Sequence, residues 1–184
     1  MKILVFGGSF DPPHFGHVFS VAWMLSSEKV DQVWVVPCRD HPFGKDLTPF
    51  EDRLEMCNLA FELFGEGVVV DPFGYETERK GSSFSYDLLK FYEKNAAEYC
   101  EYILAVGSDV MNEIHQWYKS EEILEKYPIV EIPRGEGGII PNISSTQIRN
   151  LAKQSVLEPG KLVPGKVLRY ILDHNLYAGE VLVS

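Results

Sequence analysis

The chain has 184 residues, 45% of them hydrophobic, with 17 basic against 27 acidic side chains and a formal net charge of −10. A chain of this length buries roughly 70% of its unfolded surface in one domain, and its acidity excludes the basic stripe that broad nucleic-acid binding requires. No apolar run approaches the ~20 residues of a membrane span, the N-terminus runs straight into a strand rather than a signal peptide, and Cys38, Cys57 and Cys100 are too scattered for a disulfide framework, so reduced thiols in the cytoplasm are expected.

Ile3-Leu4-Val5-Phe6 predicts a strand buried on both faces. Gly7-Gly8 ends it in a tight turn, Asp11-Pro12-Pro13 cannot continue a strand, and His14-Phe15-Gly16-His17 opens a helix that runs on through Val18, Ala22 and Leu25. Strand, glycine turn and helix start together suit phosphate, because helix-start N–H groups point outward and the helix dipole favours negative charge. His14 and His17 lie three apart and share one side of the first turn, where an imidazole can donate to a phosphate oxygen. The alternative is that they only cap or pack. Metal ligation would need Cys38 or His41 as a third ligand, and no second spaced pair supports it, so no metal site built on protein ligands is expected.

Residues 30–37 predict a second strand, and 41–45 a loop. Thr48-Pro49-Phe50-Glu51 matches a capping box with proline at the first helical position, opening a helix marked by Leu54, Leu59 and Leu63 and ended near Gly65. Residues 68–70 form a third strand and 79–83 a loop. Ser85 can cap a third helix whose Leu88, Leu89 and Tyr92 face the core. Residues 102–106 form a fourth strand ending in Gly107-Ser108-Asp109, followed by helical pieces carrying Met111, Ile114 and Trp117, then Ile123 and Leu124. Residues 129–132 form a fifth strand, 135–142 a glycine-rich connection, Ser144-Ser145-Thr146 a helix start and 164–176 a closing helix. Strands alternating with helices predict one α/β domain over 1–184, a parallel sheet with helices on both faces. Ligands of such sheets bind beyond the carboxyl ends of the strands, where strand order reverses.

No G-x-G-x-x-G, G-x-x-x-x-G-K-[ST] or G-x-S-x-G motif occurs. Two long motifs do: GGSFDPPHFGH at 7–17 and ISSTQIR at 143–149. They resemble the paired signatures of the nucleotidyltransferase superfamily, G-[ST]-F-D-P-x-H-x-G-H and I-S-S-T-x-I-R, and imply its Rossmann-like fold. RKGSSFSYDLL at 79–89 resembles R-x-G-x-S-Y-T-x-D-T-L of nicotinate-nucleotide adenylyltransferases, with Phe84, Ser85 and Leu88 replacing Tyr, Thr and Thr. Gly107-Ser108-Asp109 with Trp117 resembles that family's G-x-D…W, and Val163-Pro164, Val167, Tyr170-Ile171 and Leu176-Tyr177 its closing helix. HPFGK stands where the family has P-P-H-K, and Arg134-Gly135-Glu136 where it has R-P-G. The connection from there to Ile143 is short, where the family commonly inserts tens of residues.

The resemblance implies attack by a mononucleotide 5′-phosphate on the α-phosphorus of ATP, with pyrophosphate leaving. The acceptor it implies is nicotinate mononucleotide, giving deamido-NAD in NAD biosynthesis. His14, His17 and Arg149 are the catalytic candidates. Gly8, Ser9, Phe10, Gly16, Gly107, Asp109, Ile143, Ser144, Ser145 and Thr146 are the ATP-binding candidates, and Ser85, Tyr86, Trp117, Arg134 and Lys45 the acceptor-binding ones. Ser144 or Ser145 can equally be a helix cap, Asp109 an N-cap and Trp117 a core residue. Mg²⁺ is expected, held mainly by the phosphates and water. Asp11 is expected to order the turn, and His41, His115 and His174 to be structural or solvated. Nucleic acid and membrane are not expected as partners, and a homo-oligomer is left open. The rivals are transfer to nicotinamide mononucleotide or pantetheine phosphate, and a nucleotide-binding sensor without turnover.

Overall fold

The computed structural model describes residues 1–40, 44, 46–71, 85–95, 99–134, 138–154, 156, 158 and 161–178. Lys45, His41 and the 79–84 part of the RKGSSFSYDLL segment lie outside the described residues. Five strands, β1 (Lys2–Gly8), β2 (Gln32–Pro37), β3 (Val68–Val70), β4 (Glu101–Gly107) and β5 (Ile129–Ile132), form one sheet. Its order is β3-β2-β1-β4-β5, and every neighbouring pair is parallel. The chain builds outward from β1 to β3, then crosses over to β4 and β5. The order therefore reverses between β1 and β4, and the turns after Gly8 and Gly107 flank that crevice.

The pleat explains the unbroken apolar runs. Leu4 and Phe6 of β1, with Ile103 and Ala105 of β4, face one core, while Ile3 and Val5, with Tyr102, Leu104 and Val106, face a second. The first core is covered by α1 (Phe15–Ser27), α2 (Phe50–Phe61), α6 (Ser145–Lys153) and α7 (Gly165–Asp173). The second is covered by α3 (Ser85–Asn95), α5 (Ser120–Lys126) and the 3-10 turn Ile114–Gln116 that follows α4 (Ser108–Met111). Each aliphatic side chain so enclosed contributes about 1.5–3 kcal/mol. Among the described residues no helix is long and apolar enough to cross a membrane. Cys57 is buried, Cys38 and Cys100 are half-buried, and all three are free thiols.

One local expectation is corrected, and the buried face of α2 is defined. The capping box at Thr48 does not form: Pro49 is the N-cap of α2, without a side-chain cap bond, and the Thr48 carbonyl accepts instead from Arg53 Nε at 2.8 Å. The inward stripe of α2 is Arg53, Met56, Cys57 and Ala60. Leu54 and Leu59 are only half-buried and Leu63 is exposed, because the helix presents its i, i+3, i+4, i+7 face from Arg53 onward.

Candidate active site

At the end of β1 the chain turns inward. Phe10 takes a left-handed backbone, φ 46°, unusual for a bulky residue, and burial offsets that cost. Its ring lies 5.5 Å from Phe6, 6.2 Å from Phe61 and 4.8 Å from the His17 imidazole. A Cβ on Gly8 would sit 3.1 Å from the Phe10 ring, a tighter approach than ordinary contact, so the glycine makes room for the inward ring. The Asp11–Pro12 peptide is cis.

The turn is held from outside by its own carbonyls. Ser9 O accepts from Arg53 Nη1 at 2.9 Å, Asp11 O from Arg149 Nη1 at 2.6 Å, and Pro12 O from Ser145 Oγ at 2.9 Å. Two of these donors belong to α6. The two motifs therefore meet in space, with the ISSTQIR helix seated on the SFDPPH turn. Asp11 is 2% exposed; its Oδ1 accepts from the Tyr177 hydroxyl at 2.7 Å, and its Oδ2 lies 3.9 Å from Arg149 Nη1. It ties the turn to the C-terminal end of the described chain, an ordering role.

His14 and His17 do share one side of α1. Their rings stack with centroids 3.7 Å apart, and the His14 backbone N–H donates to His17 Nδ1 at 3.2 Å. With Nδ1 accepting, the His17 ring proton resides on Nε2. Both imidazoles are buried, His14 to 1% and His17 to 9% exposure; they are not the surface residues a helix start suggests. The reason is the inward Phe10, which packs on His17 from the turn. Burial, then the Arg134 charge, brings His14 down to about 3. Burial, then His14 and Arg134, holds His17 well below the ordinary imidazole value. Both are neutral at pH 7, and His14 Nδ1 is a buried nitrogen without a partner among the described residues. At Gly16 a Cβ would lie 3.0 Å from the His14 ring and 3.3 Å from the Pro141 carbonyl, so the room its missing side chain leaves is taken up by protein.

Ser144 is the N-cap of α6, accepting from Gln147 N at 3.2 Å. Thr146 Oγ1 accepts from Arg149 Nη2 at 3.2 Å, and Ile143 is buried in the first core. Across the crevice, Gly107 and not Asp109 is the N-cap of α4. A Cβ on Gly107 would run into Asp109 Oδ1 and lie 3.5 Å from Arg134 Cδ, so Asp109 and Arg134 both crowd the end of β4. Ser108 Oγ donates to the Arg134 carbonyl at 2.5 Å and accepts from the Arg134 N–H at 2.9 Å. That exchange fixes Arg134 near enough to His14 for its charge to be felt.

Of the expected acceptor residues, Ser85, Tyr86 and Trp117 lie on the side of the second core. Ser85 is the first residue of α3, leaving the amides of Ser85 and Tyr86 in the first turn without helical partners. The Tyr86 hydroxyl donates to Glu122 at 2.6 Å and its ring lies 6.1 Å from Tyr118. Trp117 is half-buried, with part of its side chain packed against the second core. His115 and His174 are exposed. Beside the turn, a cavity of about 650 Å³ opens at the end of β2, lined by Arg39, Asp40, Thr48, Phe50 and Arg53 among others.

Two residues that bear on the site carried no weight in the sequence reading as site residues. Tyr177 showed only as part of a closing pattern. Arg53 had a readable signal, being a cation inside the apolar stripe of α2.

The sequence matches the Cytidylyltransferase-like family over residues 5–151. The chain belongs to that family. A family relative in Anaeromyxobacter dehalogenans (strain 2CP-C), named "Probable nicotinate-nucleotide adenylyltransferase", is 39% identical over 186 residues, covering 97% of this chain and 97% of that protein. With nearly all of both chains aligned, that relative has no room for an insertion of tens of residues. A protein of the same name in Myxococcus xanthus (strain DK1622) is 30% identical over 185 residues, covering 96% of this chain and 95% of that one. The structure titled "Plasmodium falciparum nicotinic acid mononucleotide adenylyltransferase complexed with NaAD" superposes with a TM-score of 0.74 at 23% identity, over 96% of this chain and 97% of that one. At that identity the likeness is one of fold.

Proposed function

We propose that this protein is a cytoplasmic adenylyltransferase that moves AMP from ATP to nicotinate mononucleotide, giving deamido-NAD and pyrophosphate for NAD synthesis. The observation that carries this reading is the seating of Arg149 and Ser145 on the carbonyls of Asp11 and Pro12. It puts the two phosphate-type motifs at one corner of the sheet.

In the reaction, an oxygen of the acceptor's 5′-phosphate forms a bond to the α-phosphorus while the bond to the bridging oxygen breaks, and pyrophosphate carries away the electron pair. No protein nucleophile is needed, so the protein aligns the reactants and stabilises charge on phosphate oxygens. His17 Nε2–H and the His14 ring face that task as neutral donors, with the turn amides from Gly8 to Phe10. The α6 start, with Ser144, Ser145 and Thr146, and the half-exposed Arg149 suit the β- and γ-phosphates. Asp109, beside Gly107, is assigned to accept from a ribose hydroxyl. The α3 amides of Ser85 and Tyr86, with Trp117, are assigned to the pyridine carboxylate and ring, and Arg134 and Lys45 to acceptor phosphate.

The groups assigned to phosphate at this corner are imidazoles, guanidinium groups, hydroxyls and helix-start amides, while the Asp11 carboxylate beside them is taken by Tyr177 and Arg149. Among the described residues no three histidine, cysteine or carboxylate side chains gather as a metal site. That set fits Mg²⁺ held by the triphosphate and water, where it neutralises phosphate charge.

The test is pyrophosphate release with ATP and Mg²⁺ across acceptors. Turnover with nicotinate mononucleotide is expected. Turnover only with pantetheine phosphate or another phosphate acceptor, or ATP binding without release for any acceptor, overturns the assignment.

A further inference from the structure

Arg53 heads the fully buried side chains by size among the described residues, at 1% exposure. Its guanidinium donates to four backbone carbonyl oxygens: Thr48 at 2.8 Å from Nε, Ser9 at 2.9 Å and Cys38 at 2.7 Å from Nη1, and Arg39 at 2.9 Å from Nη2. Ser9 follows β1, Cys38 and Arg39 follow β2, and Thr48 precedes α2. One cation thus clamps the carboxyl ends of two adjacent strands to the start of a helix. A charge withdrawn this far from water is costly unless its hydrogen-bonding capacity is met, and here four of its five N–H donors go to peptide oxygens whose orientation it then dictates. In a trans peptide the carbonyl oxygen and the following N–H point in opposite directions. Holding the Ser9 carbonyl toward α2 therefore turns the Phe10 N–H away from α2.

We propose that Arg53 is a positioning residue for the adenylyl transfer, aiming the turn amide of Phe10 at the reacting phosphate through its grip on Ser9 and Cys38. The inference rests on the function proposed above. Its action is indirect: Arg53 borders the cavity at the end of β2, but its side chain is 1% exposed and the hydrogen bonds it donates go to peptide oxygens. Arg149, Ser144 and Asp109, which are assigned to ATP, stand on other elements that Arg53 does not touch. Loss of the clamp should therefore appear in the chemical step rather than in ATP affinity, since misplacement by ~1 Å is enough to cost about 10²-fold.

The experiment uses the full chain and the variants Arg53→Lys, which keeps the charge but loses the fork, and Arg53→Met, which keeps only the stem. Folded fraction is read by circular dichroism, and kcat and KM for ATP by pyrophosphate release. The expected result for folded Arg53→Lys is a kcat lower by about 10–100-fold with KM for ATP within about threefold, and a larger loss in Arg53→Met. A second readout needs no acceptor: the Phe10 amide resonance of ¹⁵N-labelled protein shifts on adding ATP with Mg²⁺, and by less than half as much in Arg53→Lys. Unchanged kcat per folded molecule, a KM rise matching the kcat loss, a wild-type Phe10 response in Arg53→Lys, or failure of both variants to fold each overturns the proposal. A wild-type chain that releases no pyrophosphate sinks the assigned reaction instead, and the Phe10 measurement then decides on Arg53 alone.

Discussion

Arg149 Nη1 donates to the carbonyl oxygen of Asp11 at 2.6 Å, joining residues 138 positions apart. The same guanidinium reaches Thr146 Oγ1 through Nη2 and lies 3.9 Å from the Asp11 carboxylate. With its side chain still about one-third exposed, Arg149 fixes the turn and remains in part accessible to solvent. A helix-borne arginine that does only one of these would read as a surface ion pair, worth about 0–1 kcal/mol.

Arg149→Met should therefore lower kcat/KM by about 10²–10³ while costing only about 1 kcal/mol of stability, the worth of one charged hydrogen bond at a half-exposed site. Pyrophosphate release and urea denaturation on the same preparation check both halves. Near-wild-type turnover would remove Arg149 from the machinery.

The buried histidines predict a pH dependence with a definite sign. His14 is lowered from 6.5 to about 3 in the folded chain, so between those values the unfolded chain binds the extra proton. The folded state is therefore fully favoured above about pH 6.5 and loses stability as pH falls toward 3, by up to about 1.4 kcal/mol per pH unit for each such imidazole. His17 acts in the same direction. Urea midpoints measured at pH 7.5 and 5.5 should drop for the wild type and drop less for His14→Asn. Equal drops in the two proteins would mean that the ring is solvated.

Tyr177→Phe removes the hydroxyl that satisfies Asp11 Oδ1 and leaves a buried carboxylate oxygen short of a donor, a loss of about 1–3 kcal/mol. Thermal unfolding reads the loss directly. Because Asp11 orders the turn, turnover should fall as well, even though Tyr177 has no assigned contact with substrate; an unchanged melting curve and rate would show that the C-terminal contact is idle.

Gly107→Ala tests the other side of the crevice. The new methyl collides with Asp109 Oδ1, the free end of a side chain that can swing away, so folding should lose less than about 1 kcal/mol. The displaced carboxylate can no longer hold its place beside β4, and KM for ATP should rise roughly tenfold, as for about 1.4 kcal/mol of lost binding. Isothermal titration with ATP and Mg²⁺ measures this without an acceptor, and unchanged affinity would release Asp109 from the ribose role.

Much of the architecture was legible because it is local. The run at Ile3–Phe6 announces a doubly buried strand, the valines of β2 and the 102–106 segment announce strands, and both motifs sit where a strand end or a helix start places them. The α2 cap was misread because Thr48 turns its carbonyl to Arg53 rather than closing on its own helix, a competition that spacing cannot display. The depth of His14 and His17 was missed for a similar reason: Phe10 folds under them, and Phe61, far along the chain, packs against Phe10.

The amino-acid sequence by itself determined the alternation of strands and helices, the two phosphate-type motifs and hence the kind of chemistry to look for, since each depends on neighbours within a few residues. Only the tertiary structure decided that the histidines are buried and neutral, that Arg53 clamps two strand ends and that Asp11 gathers Arg149 and Tyr177. Those properties are set by burial and by charges brought together across more than a hundred residues, and electrostatic strength depends on an enclosure that exists only once the chain has folded.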